Sequence, residues 1–201
     1  MIEVEKKISI QTDDERARLL KGAIFLYEIV NEDVYVDDSH YSLSTRNWWL
    51  RTRNGTFELK VPIRHPVTSM TTYEELETDG AIAQALGLPT DTPLGAALER
   101  AGYRPVGTIR TTRKKYQLGK IHLDLDESDY GLSTYTLAEI ELMVENDDAI
   151  PNATATIEMF CRERGVALDH TRGKVLEFLF RYRPEHYAAL VKAGVAGTKT
   201  S

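Results

Sequence analysis

Glu3, Glu5 and Lys7 alternate along the first stretch of the chain, so on a β-strand they share one face. Ile2, Val4, Ile8 and Ile10 fall largely on the other. Two carboxylates beside an ammonium have two readings: the wet side of an amphipathic strand, or one wall of a site for a cation and an anion. The rest of the chain repeats the pattern. Arg51 and Arg53 precede Glu58 and Lys60; Arg113 and Lys115 precede Asp124 and Asp126; Glu75 follows Tyr73; Glu139 and Glu141 flank Ile140. In each case the alternate residues are mostly apolar. Arg and Lys in number match phosphate oxygens, Arg with bidentate geometry. Carboxylates clustered without His or Cys suit hard cations such as Mg²⁺ or Mn²⁺. Together they point to metal-assisted chemistry on a polyphosphate, where positioning and charge neutralisation do most of the work. No GxxxxGK[ST] loop is present, which excludes a P-loop enzyme. No Ser or Cys stands beside a plausible His base. His40, His65, His122, His170 and His186 share no spacing and read as structural or exposed.

Two hairpins must position these charges. Asn54-Gly55 is a type I′ turn signal. A two-residue loop there sets Arg53 opposite Thr56, Arg51 opposite Glu58 and Trp49 opposite Lys60, all on one face. Trp48, Leu50, Thr52, Phe57, Leu59 and Val61 take the core face. Gly119-Lys120 suits a type II′ turn and pairs Lys115 with Asp124 and Arg113 with Asp126. His122 and Gln117 lie at the end of that face. Further strands are expected at 24–30, 33–37 and 71–78. The chain then reads as α+β: an eight-stranded antiparallel β-barrel, a tunnel with a charged interior, flanked by helices. The ionic face of the first strand is expected inside, as the less exposed of its two faces.

The helices have their own signals. Thr12-Asp13-Asp14-Glu15 is a capping box for a helix from Asp13 to Lys21. Helices follow near 81–86 and 94–101, ended by Gly87 and Gly102. The C-terminal third is helical: from Pro151 to Gly165 with Cys161 in its apolar stripe, from Arg172 to Arg183, and after Pro184. Residues 64–70 are loop-like.

Composition bounds the rest. The chain has 201 residues and a net charge of −6, which argues against a nucleic-acid surface. A lone cysteine excludes an intramolecular disulfide and a cysteine zinc cluster, and fits a reducing compartment. No signal peptide or membrane span is evident. A cytoplasmic monomer is expected, with one domain over 1–190 and a disordered polar tail over 191–201.

The motifs continue in a recognisable order. Glu3-x-Glu5-x-Lys7 is followed by Trp49-Leu50-Arg51-Thr52-Arg53, Glu58-Leu59-Lys60, Tyr73-Glu74-Glu75 and Thr111-Thr112-Arg113. Asp124-Leu125-Asp126, Asp129-Tyr130-Gly131, Glu139-Ile140-Glu141, Lys174 and Arg181-Tyr182-Arg183-Pro184 complete the series. Over residues 2–190 the chain resembles the CYTH superfamily, the triphosphate tunnel metalloenzymes. Within it, the Trp-Leu-Arg, Asp-Leu-Asp to Tyr-Gly and terminal Arg-Tyr-Arg-Pro-Glu-His-Tyr segments are most similar to the animal-type thiamine triphosphatases. The resemblance implies Mg²⁺-dependent removal of the terminal phosphate of thiamine triphosphate. Inorganic triphosphatase, nucleoside triphosphatase, adenylate cyclase and a non-catalytic polyphosphate-binding module are alternatives.

By the same resemblance Glu3, Glu5, Asp124, Glu139 and Glu141 hold metal. Lys7, Arg51, Arg53, Lys60, Arg113 and Lys174 hold phosphate. Lys60 and Glu75 are the catalytic candidates, Glu75 through the metal or water network. Trp49 stacks on the thiamine rings, chosen over Trp48 because it shares a face with Arg51; the doubled tryptophan leaves the stacking residue open. Lys115 and Asp126 join the charged face without an implied role.

Overall fold

The computed structural model describes residues 2–10, 12–63, 71–168 and 171–197. Among them eight strands form: β1 (Ile2–Ile8), β2 (Ile24–Asp37), β3 (Trp49–Arg53), β4 (Thr56–Pro62), β5 (Thr71–Leu76), β6 (Arg104–Leu118), β7 (Ile121–Asp129) and β8 (Thr134–Val144). They close into an antiparallel barrel in the order β1-β5-β4-β3-β2-β6-β7-β8. Six helices flank it: α1 (Asp13–Leu20), α2 (Asp79–Leu86), α3 (Leu94–Arg100), α4 (Ile150–Glu163), α5 (Lys174–Tyr182) and α6 (Pro184–Lys192). No helix among the described residues is long and apolar enough to cross a membrane.

The chain divides into two compact units. The first, from residues 1–31, 63–74 and 110–174, contains β1, β7 and β8 with α1 and α4. Val4 and Ile8 of β1, Leu123 of β7, Ile140 of β8, Leu19 of α1 and Ile150, Ile157, Phe160 and Cys161 of α4 share one buried core. The α4 residues recur at helical spacing, so α4 lays one stripe on the sheet. Burying each large side chain contributes roughly 1.5–3 kcal/mol. Thr12 caps α1 as expected: its Oγ1 accepts the Glu15 N–H at 3.2 Å, and the Glu15 carboxylate accepts the Thr12 N–H at 3.1 Å.

The second unit, from residues 32–62, 75–109 and 175–201, is built on the β3–β4 hairpin. Leu50 and Leu59 pack with Leu43 and with Ile82, Ala83, Leu94 and Leu98 of α2 and α3. Asn54 (φ 50°) and Gly55 (φ 89°) both take the left-handed backbone that a type I′ turn requires. The register follows: Trp49↔Lys60, Arg51↔Glu58, Arg53↔Thr56. In the first unit Gly119 (φ 60°) likewise sets Lys115↔Asp124 and Arg113↔Asp126.

The structure changes four expectations. Residues 24–30 and 33–37 form one continuous strand, β2, because Asn31 and Glu32 keep extended backbone. β5 stops at Leu76 rather than Thr78, since Thr78 caps α2 by accepting the Ala81 N–H at 3.3 Å. The ionic face of β1 is buried, but no more deeply than the apolar face: Glu3 is 9% and Glu5 2% exposed, against 9% for Ile2, 0% for Val4 and 1% for Ile8. The apolar face is covered by α4. Finally, α6 runs to Lys192, and the N–H groups of Ala193, Gly194 and Val195 bond back to Ala189, Val191 and Leu190. Residues 64–70 and 198–201 lie outside the described residues.

Candidate functional site

Strand register alone brings most of the first unit's charges abreast. β1 and β8 pair Glu5 with Glu141 and Lys7 with Glu139; β7 and β8 pair Asp124 with Glu139. These side chains lie on the face turned away from the core under α4. Arg113 is the hub. Its Nη1 stands 2.5 Å from Asp124 Oδ2, and its Nε and Nη2 donate to the two Asp126 oxygens at 2.6 and 2.7 Å. Nη2 also donates to Glu139 Oε2 at 2.5 Å. Lys115 lies 2.9 Å from Asp124 Oδ1 and 3.3 Å from Glu141 Oε2. Lys7 pairs with Glu5 and stands 3.6 Å from Glu139. Lys174, at the start of α5, reaches Asp126 Oδ2 at 3.3 Å. Six carboxylates, with Glu3, thus share the face with four cations, and acid predominates.

Burial makes this imbalance costly. It works against charge on Arg113, but Glu139, Asp126 and Asp124 outweigh it and hold the guanidinium pKa well above its ordinary value. Burial raises Glu141 to about 7, helped by Asp124 and Glu139 and opposed by Arg113 and Lys115. Burial likewise raises Asp124, against Arg113 and Lys115. A cation among these carboxylates would relieve the repulsion.

The residues fit such an ion. Glu3, Glu5 and Glu141 offer oxygens within 4.8 Å of one another, as do Asp124, Glu139 and Glu141, so Glu141 belongs to both groups. Asp124 is fully buried. Its two oxygens face Arg113 and Lys115, at 2.5 and 2.9 Å. All of these donors are oxygens, the set that hard divalent cations prefer.

The second unit carries a separate ionic set. Arg53 grips Asp33 with both arms of its fork, Nε to Oδ1 at 2.8 Å and Nη2 to Oδ2 at 3.0 Å. Arg51 bonds Glu58 through Nε at 2.9 Å, with Asp33 at 3.6 Å. Burial disfavours charge on Arg51, yet Tyr35, Asp33 and Glu58 leave its pKa raised. Lys60 pairs with Glu75 at 2.7 Å. Burial pushes the Glu75 carboxyl up, but Lys60, Arg51 and Arg53 bring it below its ordinary value.

Trp49 is buried, and its Nε1 donates to Asn47 Oδ1 at 2.8 Å. Trp48 packs on the second unit's core, with the Arg46 guanidinium 4.7 Å above its ring. The expected site residues therefore form two groups. Glu3, Glu5, Lys7, Arg113, Asp124, Glu139, Glu141 and Lys174 are in one unit; Trp49, Arg51, Arg53, Lys60 and Glu75 are in the other.

Sequence reasoning missed Asp33. Its parity with Tyr35 and Asp37 was the available signal, and β2–β3 pairing sets it opposite Arg53. It also missed a buried trio. Ser44 Oγ lies 2.7 Å from His186 Nε2, with Asp37 Oδ2 3.9 Å from the same nitrogen. This is not a nucleophile–base–orienter array, because the orienting carboxylate belongs on the other ring nitrogen. His186 Nδ1 has no hydrogen-bond partner. Asp37 instead accepts the N–H groups of Asp38, Leu43 and Ser44, and the Tyr41 ring stacks on His186 at 3.9 Å. The trio ties α6 to the loop after β2.

Comparison with known proteins agrees with this architecture. The PH1819 protein from Pyrococcus horikoshii OT3 is 26% identical, with a TM-score of 0.62 over 90% of this chain and 99% of that one. A candidate adenylate cyclase from Bacillus halodurans is 19% identical, with a TM-score of 0.56 over 90% and 97%. HpAC1 from Hippeastrum, a candidate adenylyl cyclase described as revealing a dominant triphosphatase activity, is 20% identical, with a TM-score of 0.55 over 89% and 95%. The last two similarities speak to the fold alone. The CYTH domain family model matches residues 1–174, and the chain belongs to that family.

Proposed function

We propose that this protein is a Mg²⁺-dependent triphosphatase that releases the terminal phosphate of thiamine triphosphate and leaves thiamine diphosphate. It would act in the cytoplasm as a monomer on a small-molecule substrate. The observation that carries the reading is the buried oxygen-donor set around Asp124, Glu139 and Glu141, interleaved with Arg113, Lys115 and Lys174. An acidic set for a cation and guanidinium and ammonium groups for phosphate stand on one face. A triphosphate–metal pair offers that combination of charges.

Glu3, Glu5, Asp124, Glu139 and Glu141 would hold the divalent ion. When bound, it supplies charge neutralisation and Lewis-acid polarisation of phosphate oxygens. Lys7, Arg113 and Lys174 bind phosphate oxygens, and Arg51, Arg53 and Lys60 do so by the same chemistry. Water attacks the terminal phosphorus as the bond to the bridging oxygen breaks, and thiamine diphosphate leaves with that oxygen. Glu75, kept ionised by Lys60, accepts a hydrogen bond from that water and orients it. The Lys60 ammonium balances charge building on the phosphate.

The test is phosphate release from thiamine triphosphate, tripolyphosphate and ATP, with Mg²⁺ and with Mn²⁺. The highest kcat/KM is expected for thiamine triphosphate, and Glu139→Gln is expected to lower it at least 100-fold. No release from thiamine triphosphate with either metal would sink the proposal. A second reading, an inorganic or broader nucleoside triphosphatase, has its own support. Every charge in both sets suits phosphate or metal, and Trp49 alone suits thiamine. A higher kcat/KM for tripolyphosphate or ATP would favour it. Cyclic AMP from ATP would mark a cyclase, and tight binding without turnover a binding module.

A further inference from the structure

We infer that the segment Arg172–Gly173–Lys174 is a positioning strap that fixes where the Lys7 and Lys174 ammonium groups stand. This rests on the reading of those two lysines as phosphate ligands. Two tyrosines from the ends of the β7–β8 turn hold the segment by its backbone. The Tyr135 hydroxyl donates to the Arg172 carbonyl at 2.7 Å, and the Tyr130 hydroxyl donates to the Lys174 carbonyl at 2.8 Å. Their rings stack, with centroids 6.4 Å apart. The turn itself is tight: the Tyr130 N–H bonds the Ser133 carbonyl at 3.0 Å, and Gly131 takes φ 83°. So the strap is referenced to the same two strands that carry Asp124, Asp126, Glu139 and Glu141.

The strap acts on the lysines in two ways. It delivers Lys174, whose side chain is 7% exposed and whose Nζ lies 3.3 Å from Asp126. It also floors Lys7. A Cβ placed on Gly173 would sit 3.0 Å from Lys7 Cε and 3.3 Å from Cδ, closer than side chains ordinarily pack. The demand for glycine here is room for the lysine stem, since the Gly173 backbone is not left-handed. What would yield to an alanine is the flexible stem, so Gly173→Ala displaces the Lys7 ammonium from its place beside Glu5 and Glu139 without unfolding the sheet.

The experiment measures tripolyphosphate affinity by titration calorimetry, with Tm as a check on folding. Gly173→Ala is expected to weaken binding about 10-fold in the wild-type background and less than 2-fold on top of Lys7→Ala. Tyr135→Phe should behave the same way against Lys174→Ala. That loss of additivity is what residues acting through one another show, and general damage does not. Wild-type affinity in both Gly173→Ala and Tyr135→Phe, or full effects retained in the lysine-lacking backgrounds, would overturn the strap. If wild-type protein binds no tripolyphosphate with or without Mg²⁺, the phosphate reading fails, and the strap with it. Should Gly173→Ala not fold, the Tyr135→Phe pair decides alone, because removing one hydroxyl leaves the ring packing in place.

Discussion

Trp49 and Cys161 show how one environment can assign one residue. Under the proposed function, Trp49 is the side chain that would recognise thiamine. A cation over an indole face contributes about 0.5–2 kcal/mol. Trp49→Ala is therefore expected to cut kcat/KM for thiamine triphosphate about 10-fold and to change that for tripolyphosphate less than about 2-fold. Equal losses on both substrates would remove the stacking role. Cys161 is the opposite case, a residue with reactive chemistry in an inert place. It is fully buried on the inner face of α4, and burial raises its thiol to about 11, against a smaller opposing pull from Lys6. Native protein treated with iodoacetamide at pH 8 should stay unlabelled by mass spectrometry, while the protein unfolded in guanidinium takes one label. Rapid native labelling would contradict the packing of α4.

Between elements, contact geometry sets the tolerance. Gly107 lies in β6 under Phe178 of α5, and a Cβ there would run into two carbons of the ring. A buried ring gives way less readily than a lysine stem. Gly107→Ala is expected to destabilise by roughly 1–3 kcal/mol through overpacking, read as a lowered Tm. An unchanged Tm would mean that α5 does not press on β6. The same comparison explains why Gly173→Ala should fold: its obstacle is flexible.

At the scale of the molecule, buried titratable groups make stability depend on pH. His186, beside Ser44, Tyr41, Asp37 and Arg183, has its pKa lowered, chiefly by burial and secondarily by Arg183, with Asp37 opposing. The unfolded state then binds its proton first. The stability this neutral histidine contributes is present above about pH 6.5 and is lost as pH falls through that value toward the folded pKa. Glu141 runs the other way, because its folded value of about 7 lies above its unfolded one; its contribution is lost as pH rises toward and past 7. The net curve therefore mixes signs, and the difference between variants isolates one group. In urea unfolding at pH 7.5 and 5.5, His186→Gln should lose less stability on acidification than wild type. Parallel losses would show that His186 titrates alike in both states.

What could be read without coordinates was local. Asn54-Gly55 and Gly119-Lys120 each close a two-residue turn, and a turn of known length dictates register and hence which side chains share a face. Arg51 opposite Glu58 and Arg113 opposite Asp126 followed from that alone. Residue spacing could not put Glu5 beside Glu141, 136 residues away, or carry Lys174 to Asp126, 48 residues away; the family resemblance grouped the first pair as metal ligands, and the tertiary structure makes both contacts. Asp33 met Arg53 the same way, across 20 residues with no tight turn to count from. Such pairings are decided by barrel closure and by helices seating on the sheet, whose energy is spread over many buried side chains and leaves no short signal in the sequence. β1 illustrates both limits. The period of two correctly grouped Glu3, Glu5 and Lys7, but that α4 would bury the other face just as deeply was a property of packing.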